Sequence, residues 1–221
     1  MGLSHPIPPL ATALPPGFTP VEIDARSATN TPRFTQAEKD AIVAKHNEGR
    51  GMVSPPAANM KTMVWDDELA NMARRWSKDC YYGHGHLRDH SVFGSPGQNL
   101  HIIWSDSQGF APDMPNGVEA TQHWYDEHKD YNYDNNRCKP NALCGHYTQN
   151  VWASTYAVGC GRAFCPLAIG STGKIYRNAW LVTCNYGPSG NVVGQRPYET
   201  GPACSKCDSE AGFCKDNLCN L

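Results

Sequence analysis

The chain has 221 residues, with 19 Lys and Arg against 21 Asp and Glu, which gives a formal net charge of −2 at pH 7. This balance argues against a nucleic-acid-binding protein, which would need a strongly basic face to displace counterions from phosphates. Hydrophobic residues make up 40% of the chain, and no apolar run approaches the roughly 20 residues that span a bilayer. The composition therefore predicts a globular protein that is not transmembrane.

The N-terminal third predicts an extended arm followed by helices. Residues 1–33 are rich in proline, so we expect either an unstructured leader or a segment that packs along the domain. Residues 1–18 also lack the apolar segment of a secretory signal, and we expect that signal to have been removed. Thr35 and Glu38 fit a capping box at the start of the first helix. Helices are predicted from Thr35 to about Gly49, from about Asp66 to Cys80, over 117–129 and over Gly145–Trp152.

Strands are predicted mainly in the second half of the chain. Residues 158–164 and 180–186 alternate with the period of two that is typical of strands, and 60–65 is a weaker candidate. Helices that precede strands, with apolar residues on both faces of the strands, favour an α+β layered domain, which we assign to residues 34–200. Residues 201–221 hold four cysteines and almost no aliphatic residues, so this tail must be held by its own disulfide bonds.

The cysteines indicate an oxidising, extracellular compartment. There are ten, all between residues 80 and 219, and an even number of this size predicts disulfide bonds without fixing which cysteines pair. An alternative remains for the tail, because Cys204, Cys207, Cys214 and Cys219 lie within 16 residues and have a spacing that a zinc site can use.

Four polar segments carry a specific signature. They are His46–Arg50 (HNEGR), Gly97–Leu100 (GQNL), Gly145–Trp152 (GHYTQNVW) and Leu181–Pro188 (LVTCNYGP). With these motifs in this order, residues 34–219 resemble the CAP superfamily of cysteine-rich secretory proteins, wasp venom antigen 5 and plant pathogenesis-related proteins. Within it, the chain is most similar to the venom allergen-like proteins of parasitic worms and to the vertebrate glioma-pathogenesis-related branch. The resemblance implies a three-layer α-β-α sandwich with a central cleft and a small, disulfide-stapled C-terminal hinge.

The resemblance also implies a cleft tetrad of two histidines and two acidic residues. Its members map here onto His84, Glu127 and His146, but the second acidic position is occupied by Gln98. Two imidazoles and a carboxylate can bind zinc or another divalent cation, so His84 and His146 are the candidate metal ligands. A glutamine cannot act as a base, which disfavours hydrolysis, and we assign no catalytic residue. In the structural alternative, the four side chains satisfy one another's hydrogen bonds.

The remaining histidines are expected to have other roles. His86, His90, His101, His123 and His128 are predicted mostly at the surface, although His123 and Glu127 share a helix face and offer a separate adventitious metal site. His46, Asn47 and Arg50 are predicted to form a buried hydrogen-bonding cluster that ties the first helix to the sheet.

Lipid binding is the predicted function. The resemblance implies sterol binding at a loop that corresponds to residues 128–144, where Tyr131 and Tyr133 could cover an apolar ligand or simply pack the loop onto the domain. It also implies a fatty-acid channel, for which the helices at 35–49 and 117–129 are the candidate walls. We therefore expect a secreted, non-enzymatic protein that binds a sterol or fatty acid, requires no cofactor and acts on host or neighbouring tissue. A cation-dependent activity in the cleft and recognition of a host protein receptor are the alternatives.

Overall fold

The computed structural model describes residues 31–85, 90–107, 111–208 and 213–220. Most of the predicted N-terminal arm lies outside these residues. Its last three residues pack along the domain, because Thr31 O accepts a hydrogen bond from Arg74 Nη2 and Arg33 Nη1 donates to Asn71 Oδ1. Within the described residues, no helix has the length and apolar character that crossing a membrane requires.

The described residues form four α-helices close to the predicted positions: α1 (Gln36–Gly51), α2 (Asp67–Lys78), α3 (Val118–Asp126) and α4 (Gly145–Asn150). The predicted capping box of α1 is present, since Glu38 N donates to Thr35 Oγ1 and Thr35 N donates to Glu38 Oε2. Helix α3 is shorter than predicted, because the chain tightens at Glu127–Asp130 into a 3-10 helix that turns Glu127 toward α4.

The strands are β1 (Val64–Trp65), β2 (Tyr81–Tyr82), β3 (Gly97–Ile103), β4 (Tyr131–Asn132), β5 (Arg137–Cys138), β6 (Ala157–Gly170), β7 (Ile175–Gly187), β8 (Phe213–Lys215) and β9 (Leu218–Asn220). The central sheet has the order β1-β6-β7-β3, and β2 also pairs with β6. The long β6–β7 hairpin and the edge strand β3 are antiparallel, whereas β1 and β2 run parallel to β6. The prediction missed β3, and only residues 64–65 of the weak candidate at 60–65 are a strand.

Helices cover both faces of this sheet. On one face, α1 and α3 pack against β6 and β7 in a cluster that includes Ile42, Trp124, Val158 and Tyr186. On the other face lies α2, whose backbone comes so close to the sheet that no Cβ fits at Gly159. The predicted α+β fold, a three-layer α-β-α sandwich, is confirmed.

Five disulfide bonds pair all ten cysteines: Cys80–Cys165, Cys138–Cys144, Cys160–Cys184, Cys204–Cys214 and Cys207–Cys219. The last two staple the tail to itself, as predicted. Cys204, Cys207 and Cys219 lie within metal-ligand distance of one another, but their sulfurs are bonded in pairs and supply no thiolate. The zinc alternative for the tail is therefore wrong.

The tail also contacts the body of the domain, which the sequence did not indicate. Leu218 and Cys219 are buried, and Leu218 belongs to an apolar cluster with Met60 and Tyr147. Cys219 N donates to Met60 O at 2.7 Å, and Thr62 N donates to Cys219 O at 2.9 Å. The stapled tail is thus docked through both backbone hydrogen bonds and apolar contacts.

Candidate functional site

The HNEGR motif forms the foundation of the site. His46 is buried and joins α1 to the sheet, with its Nε2 atom 3.0 Å from the Tyr186 hydroxyl and its Nδ1 atom 2.8 Å from Ile42 O. Burial lowers the pKa of His46 to about 4, so the ring is neutral at physiological pH. Asn47 donates to Met63 O and accepts from Met63 N. These contacts are those of the predicted buried cluster.

Arg50 fixes the segment that follows α4. Its side chain is 1% exposed and donates to five backbone carbonyls, those of Lys61, Asn150, Trp152, Ala153 and Thr155. Four of these carbonyls belong to residues at the end of α4 or just after it. The buried guanidinium therefore sets the position of α4, which carries His146.

A buried amide network joins α4 to the edge strand β3. Asn99 Nδ2 donates to His146 O at 3.1 Å and to Asn150 Oδ1 at 3.0 Å, and the Tyr186 hydroxyl lies 3.0 Å from Asn150 Oδ1. Asn99 and Asn150 are 1% and 2% exposed, so these bonds satisfy groups that would otherwise be costly to bury. The network explains the buried polar residues in the GQNL and GHYTQNVW motifs.

Glu127 orients His146. Glu127 Oε1 lies 2.6 Å from His146 Nδ1, and Glu127 Oε2 accepts hydrogen bonds from His146 N at 3.0 Å and Tyr147 N at 3.2 Å. Both carboxylate oxygens are therefore engaged, and the imidazole donates its Nδ1 proton to Oε1. The His146 ring also stacks on Trp124, with centroids 6.2 Å apart.

Gln98 holds His84 in a similar way. Gln98 Oε1 lies 3.2 Å from His84 Nδ1, and Gln98 Nε2 donates to Asn185 Oδ1 at 3.3 Å. A glutamine suits this position because its amide both accepts from the histidine and donates to the asparagine. A carboxylate could only accept.

The structure thus brings the four tetrad residues together as two hydrogen-bonded pairs. The His84 and His146 ring centroids are 6.5 Å apart, and within the described residues neither Nε2 atom has a hydrogen-bond partner. Two imidazoles that share one tetrahedral zinc have centroids roughly 5 Å apart. A cation held by both Nε2 atoms fits this donor set if the rings approach by about 1.5 Å, which the exposed His84 side chain permits.

The other histidines differ from the prediction at two positions. His90 is buried, and its Nε2 atom lies 3.3 Å from Asp66 Oδ1. His101 is half-buried and packs against His123, rather than standing at the surface. Both Glu127 oxygens are hydrogen-bonded to α4, and among the described residues no hydrogen bond joins Glu127 to His123. His128 is exposed as expected, and His86 lies outside the described residues.

Tyr131 and Tyr133 are half-buried and pack their loop onto the domain. The Tyr131 hydroxyl donates to Asn136 Oδ1, and the Tyr133 hydroxyl donates to Tyr198 O while its ring stacks on Tyr198. Tyr133 also lines a cavity of ≈ 580 Å³, together with residues that include Trp152, Ser154, Arg196, Tyr198 and Lys206. This cavity lies between Tyr133 and residues 195–200, and no sequence pattern predicted it.

Helices α1 and α3 do not form the predicted channel at the points where they meet. A Cβ at Gly49 would lie 2.6 Å from the Tyr125 ring, and a Cβ at Gly117 would lie 2.6 Å from Ile42 Cδ1. The helices are therefore in direct contact at both ends of their interface, and we do not place a fatty acid between them.

Comparison with known proteins identifies the class. The family described as "CAP: Cysteine-rich secretory protein family" matches residues 43–186, and the chain belongs to this family. Peptidase inhibitor 16 of Mus musculus is 40% identical over 190 residues, which cover 86% of this chain and 35% of that protein. The chain therefore spans about a third of the length of this relative.

Solved structures support the same assignment. Venom allergen-like protein 4 of Schistosoma mansoni is 29% identical, with a TM-score of 0.58 over 76% of this chain and 97% of that one. NaASP2, whose structure was solved with Zn²⁺, is 26% identical, with a TM-score of 0.60 over 84% and 96% of the two chains. The predicted similarity to venom allergen-like proteins of parasitic worms is confirmed.

Proposed function

We propose that this chain is a secreted, non-enzymatic CAP protein whose cleft binds a divalent cation through His84 and His146. The observation that supports it is the pair of hydrogen bonds that hold each Nδ1 atom and leave each Nε2 atom available. An imidazole whose Nδ1 proton is donated to a carboxylate or carbonyl is the usual arrangement of a histidine ligand. Five disulfide bonds fit an extracellular location.

The same geometry favours binding over turnover. Hydrolysis by a metal-bound water needs a base to take its proton. In this group of residues, both Glu127 oxygens already accept hydrogen bonds from α4, and Gln98 cannot accept a proton. The tetrad therefore supplies ligands and their orienting groups but no second carboxylate. Zinc bound here would polarise an oxygen atom of its ligand, but the tetrad offers no base to take the proton that hydrolysis releases.

Zinc titration of single variants tests this proposal. We expect His146→Gln or His84→Gln to weaken Zn²⁺ binding measured by calorimetry at least about tenfold, and Glu127→Gln to weaken it by about 10- to 100-fold through the loss of the orienting carboxylate. His128→Gln is the matched control, since His128 is exposed and its Nδ1 atom contacts only Tyr125 O. Unchanged affinity in both His84 and His146 variants would show that the cleft does not hold the ion.

Lipid binding is the second candidate, and the cavity beside Tyr133 favours it. Its volume of ≈ 580 Å³ lies within the range of about 300–1,000 Å³ for small-molecule sites. The Tyr133, Trp152 and Tyr198 rings contribute apolar atoms to the lining. Arg196 and Lys206 bring positive charge, but Lys206 is paired with Glu199 Oε2 at 2.6 Å and Arg196 donates to the carbonyls of Tyr133 and Asp134. A fatty acid suits this lining better than a sterol, because each buried methylene contributes about 0.8 kcal/mol and its carboxylate would compete with Glu199 for Lys206.

A variant that fills the cavity distinguishes lipid binding in the cavity from nonspecific lipid binding. Ser154 is exposed at the cavity, and Ser154→Trp places a large ring in it without removing a contact. We expect this variant to lose binding of a fluorescent fatty acid, whereas Ser171→Trp, in the exposed β6–β7 turn, retains it. Cholesterol is titrated in parallel, and tighter binding of cholesterol than of the fatty acid would reverse the assignment of ligand class. Equal lipid binding in both Trp variants would exclude the cavity.

Recognition of a protein is the remaining alternative, and the name of the mouse relative suggests a peptidase as the partner. Inhibition assays with serine, cysteine and metallopeptidases test it directly. Inhibition that survives both the histidine variants and Ser154→Trp would show that a surface outside the cleft and the cavity acts.

A further inference from the structure

A second pair of histidines lies beside the tetrad. His101 is on β3 and His123 is on α3, and their ring centroids are 4.9 Å apart with the planes inclined by 63°. Within the described part of the chain, neither ring takes part in a hydrogen bond or an ion pair. The His101 nitrogens are not among the buried side-chain atoms that lack a hydrogen-bond partner in the described residues.

We propose that His101 and His123 form a second divalent-cation site, specific for ions such as Zn²⁺ and Cu²⁺ that prefer imidazole. This inference goes beyond the proposed cleft cation and does not depend on it. Two imidazoles on one tetrahedral zinc have centroids roughly 5 Å apart, which the 4.9 Å separation already matches. The rings now pack edge to face, so binding requires them to rotate about their Cβ–Cγ bonds until each presents a nitrogen to the ion.

The protonation state of His101 suits a metal ligand. A histidine must be neutral to bind a metal ion. Burial is the main cause that lowers the pKa of His101 to about 4, and the neighbouring His123 and His146 act in the same direction. At neutral pH the ion has no proton to displace from His101.

Water completes the coordination, with one acidic side chain in reach of the site. Among the described residues, this pair does not belong to any group of three or more His, Cys, Asp or Glu ligand atoms that all lie within 4.8 Å of one another. Glu119 is exposed and lies one helical turn before His123, on the same face of α3. A change of its rotamer brings the carboxylate toward an ion held by the two rings, as a weak third ligand.

The test isolates this pair from the cleft. In the His84→Gln/His146→Gln double variant, Cu²⁺ is titrated and followed by calorimetry and by electron paramagnetic resonance, which detects imidazole nitrogens on copper. We expect one remaining equivalent with nitrogen coupling, weakened about tenfold or more by a further His123→Gln change. Glu119→Gln has a smaller effect on copper affinity. The control is His128→Gln, because His128 is also an exposed histidine, and it is expected to change the affinity by less than about twofold.

His123 is exposed, so its replacement does not disturb the core. Absence of the remaining equivalent, or a remaining equivalent that is indifferent to His123→Gln, overturns the inference. Single variants of the intact chain test the proposed cleft site separately from the second site. If the intact chain loses copper binding with His123→Gln but not with His84→Gln or His146→Gln, the second site exists and the cleft site does not.

Discussion

Replacement of Arg50 by Met is the most direct test of how the fold holds the site. Met retains part of the buried aliphatic stem but removes the guanidinium, which donates to five carbonyls from 1% exposure. A buried carbonyl left without a donor costs about 1 kcal/mol or more. Trp152 O and Ala153 O keep backbone donors, which are Thr155 N and Lys61 N. The three carbonyls that lose their donor give a loss of about 3 kcal/mol or more in the free energy of unfolding, a large part of the 5–15 kcal/mol typical of a domain.

Urea unfolding monitored by circular dichroism measures this loss. Arg137→Met is the control, since Arg137 is exposed and its replacement is expected to change the free energy of unfolding by less than about 0.5 kcal/mol. Four of the five carbonyls follow or end α4, so Arg50→Met should also weaken zinc binding at His146 while the chain is still folded. A loss of less than about 1 kcal/mol would refute the reasoning, because it would mean that water replaces the guanidinium.

Two other predictions concern pH and redox state. The pKa of His46 is about 4 in the folded chain, because of its burial, against about 6.5 when unfolded, so the unfolded chain binds more protons between these values. The contribution of His46 to the free energy of unfolding is complete above about pH 6.5 and falls by up to about 3 kcal/mol as the pH decreases to 4. Urea unfolding at several pH values measures this change. An equal pH dependence in the His46→Gln variant would contradict the prediction. Under a mild reductant, we expect amides of residues 201–220 to lose hydrogen-exchange protection before those of β6 and β7, because the tail has few apolar contacts besides Leu218. Simultaneous loss in both regions would show that the tail and the sheet unfold as one unit.

The fold could be predicted where the signal is local. The Thr35 capping box, the helix that begins near Asp66 and the strands at 158–164 and 180–186 were predicted from residues close in sequence, and all are present. The predicted alternation is not seen in the burial of β6 and β7, which is almost continuous because helices cover both faces of the sheet. Strand β3 was missed because its polar residues are satisfied from elsewhere. Asn99 is buried, but its partners are on α4 and β7, about 50 and 90 residues away, and no local pattern reveals them.

The candidate site also has features that could be predicted from the sequence and features that could not. The motifs identified the tetrad residues, but not that Glu127 binds His146 while Gln98 binds His84. The pairing of His101 with His123 was not predictable either, because it depends on how β3 and α3 lie against each other. The spacing of four residues between His123 and Glu127 suggested a different pair. Glu127 instead binds His146 from the 3-10 turn that follows α3, and such a turn leaves no clear mark in the sequence.

Glu127 contacts one histidine of the tetrad and Gln98 the other, which makes the two histidines unequal, and this inequality can be tested. A carboxylate on the Nδ1 proton raises the basicity of an imidazole ligand more than a neutral amide does. His146 should therefore be the stronger ligand, and its loss should weaken zinc binding more than the loss of His84. Gln98→Glu places a carboxylate beside His84 Nδ1 and should tighten zinc binding by several-fold, up to about tenfold, although the bond that Gln98 now donates to Asn185 is lost. If Gln98→Glu instead weakens binding, the bond to Asn185 matters more than the charge, and His84 is positioned by that contact.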